Sequence, residues 1–391
     1  MAERRPTGSW VGAILAAVPI LLLGAVVYWL VDGGARRWFA TDLPAVENLY
    51  VLRHVLEPDT IHLDIVNAGT DAATIAQVIV RGAFWDHRVT PTRRLEPLDT
   101  ARVTIPYPWN TGEPVEIALL SASGLTFPYT IQVASTTPVA TLGALARFGA
   151  IGLFVGVIPV GLGLTWFPFL RRLGSGGLGF LLYMTVGLLA FLVVDSVSEG
   201  FEVASQLPGP YHGKALLALG VFGAFLALAG IEAHSRARRL AVGSAAWLAT
   251  LIALGIGLHN LGEGLAIGSA YVLGEASLGA LLVVGFTLHN ATEGIAIVSP
   301  LLAGGARVSR LVGLGLLAGA PTILGCWVGA FTYSRTWSVL FLGIGAGAIL
   351  QVILAITGRR PLAEHVTPAH LAGLALGYLA MYATGYIVGA A

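Results

Sequence analysis

Nine apolar stretches dominate this 391-residue chain, and each is long enough to cross a bilayer as an α-helix. A membrane-spanning helix needs about 20 apolar residues. Charged residues make up only 11% of the chain, whereas soluble domains carry roughly 25%. The sequence therefore predicts a polytopic α-helical membrane protein, with spans at roughly 10–31, 141–170, 176–197, 214–232, 244–271, 277–302, 309–332, 336–357 and 368–390.

Arginine positions predict how the spans are oriented. Arg4 and Arg5 precede the first span, which favours a cytoplasmic N-terminus and an uncleaved anchor helix within residues 1–40. A cleaved signal peptide is the alternative, but this apolar stretch exceeds the usual signal core of about 7–15 residues. With this orientation, the cytoplasmic loops hold Arg171, Arg172, Arg236, Arg238, Arg239, Arg307, Arg310, Arg359 and Arg360. We expect a plasma-membrane protein whose C-terminus lies outside.

Residues 45–137 interrupt the pattern of long apolar spans. Ile61, Leu63 and Ile65 alternate with polar residues, which is the period of a half-buried strand. A turn signal at 67–70 and further strand-like stretches follow, at 74–80, 100–106, 115–121 and 126–133. We expect a small all-β domain outside the membrane, a sandwich of Ig-like class that binds a partner or stabilises the protein.

The remaining reactive side chains give weaker signals. Cys326 is the only cysteine and lies in an apolar run, so it predicts a small buried hydrophobe and excludes an internal disulfide. In the β region, His54, His62 and His87 are dispersed, which is more typical of ordinary surface residues than of a metal-capturing site. The net charge of +1 gives no reason to expect a nucleic-acid partner.

One six-residue motif occurs twice, in the fifth and sixth spans. It reads H-N-L-G-E-G at 259–264 and H-N-A-T-E-G at 289–294. His259 and Glu263 are four residues apart and so project from one helix face, as do His289 and Glu293. Successive spans run antiparallel and each motif lies near the middle of its span. The two histidine–glutamate pairs can therefore meet at one depth.

Two imidazoles and two carboxylates suit Zn²⁺ or, with added water, Fe²⁺ or Mn²⁺. Asn260 and Asn290 flank the same faces, three residues before each glutamate. An acidic side chain at the bilayer centre costs about 2.5–3.5 kcal/mol, and one divalent cation neutralises both glutamates. The alternative is that each histidine–glutamate pair is a structural hydrogen bond between helices. That interpretation does not explain why the motif occurs twice.

The twin motifs resemble the fourth and fifth transmembrane helices of the ZIP family of zinc and iron transporters. The resemblance covers residues 141–391 as an eight-helix bundle, and the stretch 187–200 is similar to the family's second helix. It implies His259, Glu263, His289 and Glu293 as principal ligands, with Asn260 and Asn290 as auxiliary ligands. It also implies a carrier rather than an enzyme, with no resident cofactor. Such a carrier moves Zn²⁺, or else Fe²⁺, Mn²⁺ or Cd²⁺, into the cytoplasm by an elevator-like motion.

The chain departs from the family pattern where many members hold a second metal. Ala320 precedes Pro321 at a position that is often acidic, and Asn290 stands where a second carboxylate is frequent. We therefore expect one metal per transport site.

Three acidic residues lie near the outer end of the third span: Asp195, Glu199 and Glu202. Asp195 and Glu199 are four residues apart and predict an acidic entrance that concentrates cations. A solvated helix end is the alternative.

Two other functions remain open. An intramembrane metal-dependent hydrolase would need an open coordination position and a general base, and the H-E-x-x-H pattern is absent because both histidines are followed by asparagine. A metal sensor could signal through the sandwich without transporting. The expected partners are the divalent cation and the lipid bilayer, and a homodimer is left open.

Overall fold

A computed structural model describes residues 9–29, 46–173, 175–237, 244–272, 276–332, 334–357 and 366–389. The chain forms two compact units, Met1–Val46 and Glu47–Ala391. In the first unit, helix α1 spans Ser9–Trp29 and coincides with the predicted anchor. Arg4, Arg5 and the end of the anchor, from residue 30 onward, lie outside the described residues.

The region after the anchor forms two antiparallel sheets. Their strands are β1 Leu49–Glu57, β2 Thr60–Asn67, β3 Ala73–Val80, β4 Ala83–Trp85, β5 Arg88–Thr90, β6 Arg94–Leu95, β7 Thr100–Ile105, β8 Val115–Ser121 and β9 Thr126–Ile131. One sheet has the strand order β1-β2-β7-β5 and the other β4-β3-β8-β9, with β6 paired to β3. Both sheets contribute to one apolar core. We call this region the β-sandwich, and its Ig-like class stays a prediction.

Alternation predicted strand β2 correctly. Ile61, Leu63 and Ile65 are fully buried, as the period of two required. Strand β1 was not predicted, because a β-bulge between Val51 and Arg53 shifts its register against β2 and breaks the alternation.

The histidines of the β-sandwich do not converge. His54 is buried and its Nδ1 lies 2.7 Å from the Tyr129 hydroxyl, so the surface interpretation is wrong for His54. His62 Nδ1 lies 3.0 Å from Thr104 Oγ1, and His87 is half-buried. Among the described residues, these three form no metal-binding group with one another.

Helices account for the rest of the second unit. They are α2 Leu142–Gly152, α3 Ile158–Leu164, α4 Phe167–Leu170, α5 Ser175–Ser205, α6 Gly213–Ala237, α7 Ala245–Val272, α8 Ala276–Val298, α9 Val308–Gly319, α10 Pro321–Phe331, α11 Arg335–Thr357 and α12 Pro368–Gly389. Within the described residues, seven helical segments are long and apolar enough to cross a membrane, so the chain is a multi-pass helical membrane protein. Helices α1 and α12 match the first and last predicted spans but are not among these seven.

The third span is longer than predicted. We expected it to end at residue 197 and a loop to occupy 198–213, but α5 continues to Ser205. Ala204 and Leu207 are buried in an apolar cluster with Leu217 and Val339, which holds this last part of the helix against α6 and α11. Glu199 and Glu202 therefore lie within a helix rather than in a loop.

Prolines divide two of the spans. Pro159 follows a π-helical turn at Leu153–Val157, and Pro321 begins α10 directly after α9 ends at Gly319. Proline has no N–H, so the backbone carbonyls one turn earlier lose their helical partner. Both breaks lie next to the motif helices, because α3 packs on α8 and α10 packs on α7.

The loops after α4 and before α9 share one end of the helical bundle. A Cβ built at Gly305 would lie 3.5 Å from Nη2 of Arg171. The β-sandwich lies at the opposite end, where Tyr50 contacts Arg335 at the start of α11. Arg238, Arg239, Arg359 and Arg360, which we expected to share the basic end, lie outside the described residues. The orientation in the membrane stays a prediction.

Candidate metal site

The two motifs face each other in the interior of the bundle. Helix α7 supplies His259, Asn260 and Glu263, and α8 supplies the corresponding trio, His289, Asn290 and Glu293. All six side chains are buried. The structure thus brings together every residue that the sequence indicated as a principal or auxiliary ligand.

Glu263 is the most fully engaged carboxylate of the group. Its Oε1 contacts Nε2 of His289, and its Oε2 accepts a 3.0 Å hydrogen bond from Nδ2 of Asn290. Nε2 of His259 lies 3.2 Å from the same Oε1, without the geometry of a hydrogen bond. Glu263 therefore links both histidines and the facing helix.

The two asparagines are held by partners that can only accept. Asn260 Nδ2 donates to Glu293 Oε2 at 3.1 Å and to the Ala318 carbonyl at 3.2 Å. Asn290 Nδ2 donates to Glu263 and, at 3.1 Å, to the Val155 carbonyl. Because these partners are carboxylates and carbonyls, each amide must turn its nitrogen toward them. Both Oδ1 atoms are left without a hydrogen-bond partner.

Both carbonyls lie at the breaks in the two proline-containing spans. Val155 lies four residues before Pro159, so its carbonyl would have bonded the N–H that proline lacks. Ala318 lies three residues before Pro321, where the helix is interrupted at residue 320. Each motif asparagine thus hydrogen-bonds to the broken helix that packs beside its own.

The motif glycines repeat the same arrangement. A Cβ at Gly264 would lie 2.2 Å from the Thr322 carbonyl oxygen, and one at Gly294 would lie 2.3 Å from the Val160 carbonyl oxygen. Thr322 and Val160 each directly follow the proline of their helix. The site is therefore built from two similar halves, each a motif helix packed on a proline-broken helix, as in membrane proteins with internal repeats.

Three ligand atoms converge closely enough to hold a metal ion. His259, His289 and Glu293 each offer one atom, and these atoms lie within 4.8 Å of one another. Four buried polar atoms of the site have no hydrogen-bond partner: His259 Nε2, Asn260 Oδ1, Asn290 Oδ1 and Glu293 Oε1. A buried polar atom without a partner costs about 1–3 kcal/mol, and a cation held by His259, His289 and Glu293 would give the unpartnered atoms of His259 and Glu293 a partner.

In this chain, no carboxylate lies at Ala320, the position where many ZIP-family members have an acidic residue that holds a second metal. Ala320 caps α10, and the nearby Ala318 contributes only its carbonyl, which Asn260 already occupies. This arrangement is compatible with a single ion, and the stoichiometry stays a prediction.

Ser196 is a site residue that the sequence did not single out. Its Oγ lies 3.0 Å from Nδ1 of His259, and Ser196 is 1% exposed. The contact comes from α5, which packs mainly on α11 and α12 rather than on the motif helices. A serine in an apolar helix is a weak signal, although Ser196 lies next to Asp195 and within the stretch 187–200 that is similar to the family's second helix.

The acidic residues of α5 separate into two groups. Glu199 and Glu202 line a cavity of about 390 Å³, together with Gly262 and Ala266 of α7. We call this cavity the vestibule. Asp195 is exposed and does not line it. Glu199 and Glu202 therefore share one cavity, and the acidic entrance formed by the three residues stays a prediction.

The fold and the site define a multi-pass helical membrane protein with a buried His/Glu cluster compatible with metal binding. No protein-family model matches the chain, and the search of curated proteins found no match. The resemblance to the ZIP family therefore depends on the twin motifs and on the residues around them.

Proposed function

We propose that this chain is a plasma-membrane carrier that moves divalent metal ions, Zn²⁺ foremost, into the cytoplasm, in the manner of the ZIP family. The observation that carries the proposal is the convergence of His259, His289 and Glu293 within 4.8 Å between two helices of a multi-pass protein. Buried ionisable side chains inside a membrane are costly and usually mark an ion pathway.

The chemistry of the donors favours a borderline transition metal. Two imidazoles with carboxylate and amide oxygens suit Zn²⁺, Fe²⁺, Mn²⁺ or Co²⁺, whereas Mg²⁺ and Ca²⁺ prefer oxygen ligands alone. The ion would be cargo, held by His259 Nε2, a nitrogen of His289 and the oxygens of Glu293, with Glu263, which contacts both histidines, as the fourth principal ligand. Amide oxygens of Asn260 and Asn290 complete the set.

The helix packing is compatible with relative movement of two groups of helices. One group contains α3, α7, α8 and α10, joined at the close contacts of Gly264 and Gly294, and its α7 also packs closely on α11 of the other group, so any movement would have to slide along that surface. The other contains α5, α6, α11 and α12, with a Cβ at Gly187 lying 2.1 Å from the Leu374 carbonyl oxygen and one at Gly347 lying 2.0 Å from that of Val221. Displacement of the first group against the second would carry the ligands from the vestibule side toward the opposite end.

Uptake into liposomes tests the proposal. Purified protein is reconstituted into vesicles loaded with a zinc-sensitive dye, and Zn²⁺ is added outside. We expect saturable uptake that His259→Ala and Glu293→Ala abolish. His234→Ala is the matched control, because His234 is exposed near the end of α6, and it should transport normally. Stoichiometric zinc binding without any uptake would reject the carrier and favour the sensor or the hydrolase.

A further inference from the structure

A hydrogen bond joins the β-sandwich to the wall of the vestibule. Nη1 of Arg335, the first residue of α11, donates to the Tyr50 hydroxyl of β1 at 3.0 Å. Arg335 also lines the vestibule, together with Glu199, Glu202 and Ser338. A guanidinium fixed by the β-sandwich is therefore part of the wall of an otherwise acidic cavity.

A second cavity extends from the same place into the β-sandwich. It has a volume of about 290 Å³ and is lined by residues at the start of β1 and in the middle of β9, including Tyr50 and Tyr129. Arg335 and Gln206 line both cavities. The two spaces therefore adjoin at Arg335, whose charge lies between the second cavity and the vestibule that Glu199 and Glu202 line.

The charge of Arg335 also acts on the β-sandwich itself. Burial, with the positive charges of Arg335 and Arg53, lowers the pKa of His54 to about 4. His54 is hydrogen-bonded to Tyr129, which lines the second cavity beside Tyr50. The guanidinium of Arg335 is thus close enough for its charge to act both on His54 of the β-sandwich and on the vestibule.

We infer that Arg335, positioned by Tyr50 of the β-sandwich, limits the attraction of the vestibule for cations and so sets the rate at which divalent ions reach the metal site. The inference rests on the proposed function. The fixed positive charge of Arg335 repels the cations that the two carboxylates of the vestibule attract. The repulsion energy is twice as large for a divalent ion as for a monovalent ion at the same distance. The β-sandwich thereby has a defined role, which is to hold the charge that tunes the entrance.

The test measures the rate of Zn²⁺ association by stopped flow. The purified full-length protein in detergent competes with a chromophoric chelator for the ion. We expect Arg335→Gln to raise the association rate constant about three- to tenfold at low salt, and the increase to shrink in about 0.5 M salt as screening shortens the range of the charge. Arg335→Lys keeps the charge and should stay near the unsubstituted rate. Arg102→Gln removes an exposed arginine of β7 that lines neither cavity, and it should change nothing.

Tyr50→Phe separates positioning from simple docking of the β-sandwich. It removes only the hydroxyl, so it should change the association rate when Arg335 is present and have no further effect in an Arg335→Gln background. The inference is overturned if Arg335→Gln leaves the association rate constant unchanged, or if it raises the rate constant by the same factor at high salt as at low salt. The carrier proposal stands in both cases. No zinc binding by the unsubstituted protein overturns both.

Discussion

Ser196 and His259 form a buried hydrogen bond, Oγ to Nδ1 at 3.0 Å, that joins α5 to the motif helix α7. Nδ1 is thereby occupied, and Nε2 is the imidazole nitrogen left for a metal ion. Outer contacts of this kind fix the ring orientation and the tautomer of a ligand histidine. The hydrogen bond also crosses between the two helix groups, so it ties the ligand to the group that would stay in place during transport.

Substitution of Ser196 should weaken metal binding without removing a ligand. We expect Ser196→Ala to lower zinc affinity about tenfold, at the lower end of the range for outer contacts. Ser196→Thr keeps the hydroxyl and should retain most of the affinity. The zinc affinity of each purified variant is measured by isothermal titration calorimetry or by competition with a chelator. Equal affinities for Ser196→Ala and the unsubstituted protein would show that the hydrogen bond does not orient His259.

Much of the site could be predicted because its ligands lie at helical spacing. His259 and Glu263 share a face by spacing alone, and so do their counterparts in α8. The asparagines were expected as auxiliary ligands, whereas the structure shows their Nδ2 atoms bonded to carboxylates and to carbonyls at the breaks in the neighbouring helices. Pro159 and Pro321 were visible in the sequence, but which helix would pack beside each one was not.

The parts that were missed depend on contacts between distant elements. Ser196 meets His259 across 63 positions of sequence, and Tyr50 meets Arg335 across 285. No periodicity within one helix encodes such a pair. The length of α5 was underestimated for a related reason, since its last turns are stabilised by Leu217 and Val339 from other helices.

The motif glycines should tolerate no side chain. A methyl group at Gly294 would lie 2.3 Å from the Val160 carbonyl oxygen, so Gly294→Ala must push α8 away from α3. We expect it to lower the free energy of unfolding by about 1–3 kcal/mol or more and to abolish uptake. Gly161→Ala is the matched control on α3, because nothing lies within 4 Å of its Cβ position. Thermal unfolding in detergent, read beside liposome uptake, distinguishes the two variants.

Each chain should bind one zinc ion at the twin-motif site. The converging ligand atoms come from His259, His289 and Glu293, and Ala320 contributes no carboxylate for a second ion. Elemental analysis of the purified protein after removal of excess zinc should give one ion per chain. His259→Ala and Glu293→Ala should each reduce this value to near zero. Two ions per chain, both lost in Glu293→Ala, would instead indicate a shared two-metal site.

The β-sandwich should lose stability in mild acid because of His54. Burial, together with Arg335 and Arg53, lowers the pKa of His54 to about 4, from the ordinary value of 6.5. Between these values the unfolded chain binds a proton that the folded chain does not, so stability falls as the pH drops from 6.5 to 4. The loss amounts to roughly 3 kcal/mol for a group this deeply buried. Above pH 6.5 His54 is neutral in both states, and this contribution is constant.

Replacing His54 by asparagine should flatten this part of the pH profile. The amide oxygen can still accept a hydrogen bond from the Tyr129 hydroxyl, which contacts Nδ1 of His54 at 2.7 Å. Unfolding in detergent is followed by tryptophan fluorescence at several pH values between 7.5 and 4.5, for the unsubstituted protein and for His54→Asn. We expect similar stabilities at pH 7.5 and a clear advantage for His54→Asn at pH 4.5. Parallel curves over the whole range would show that protonation of His54 does not limit the stability of the β-sandwich.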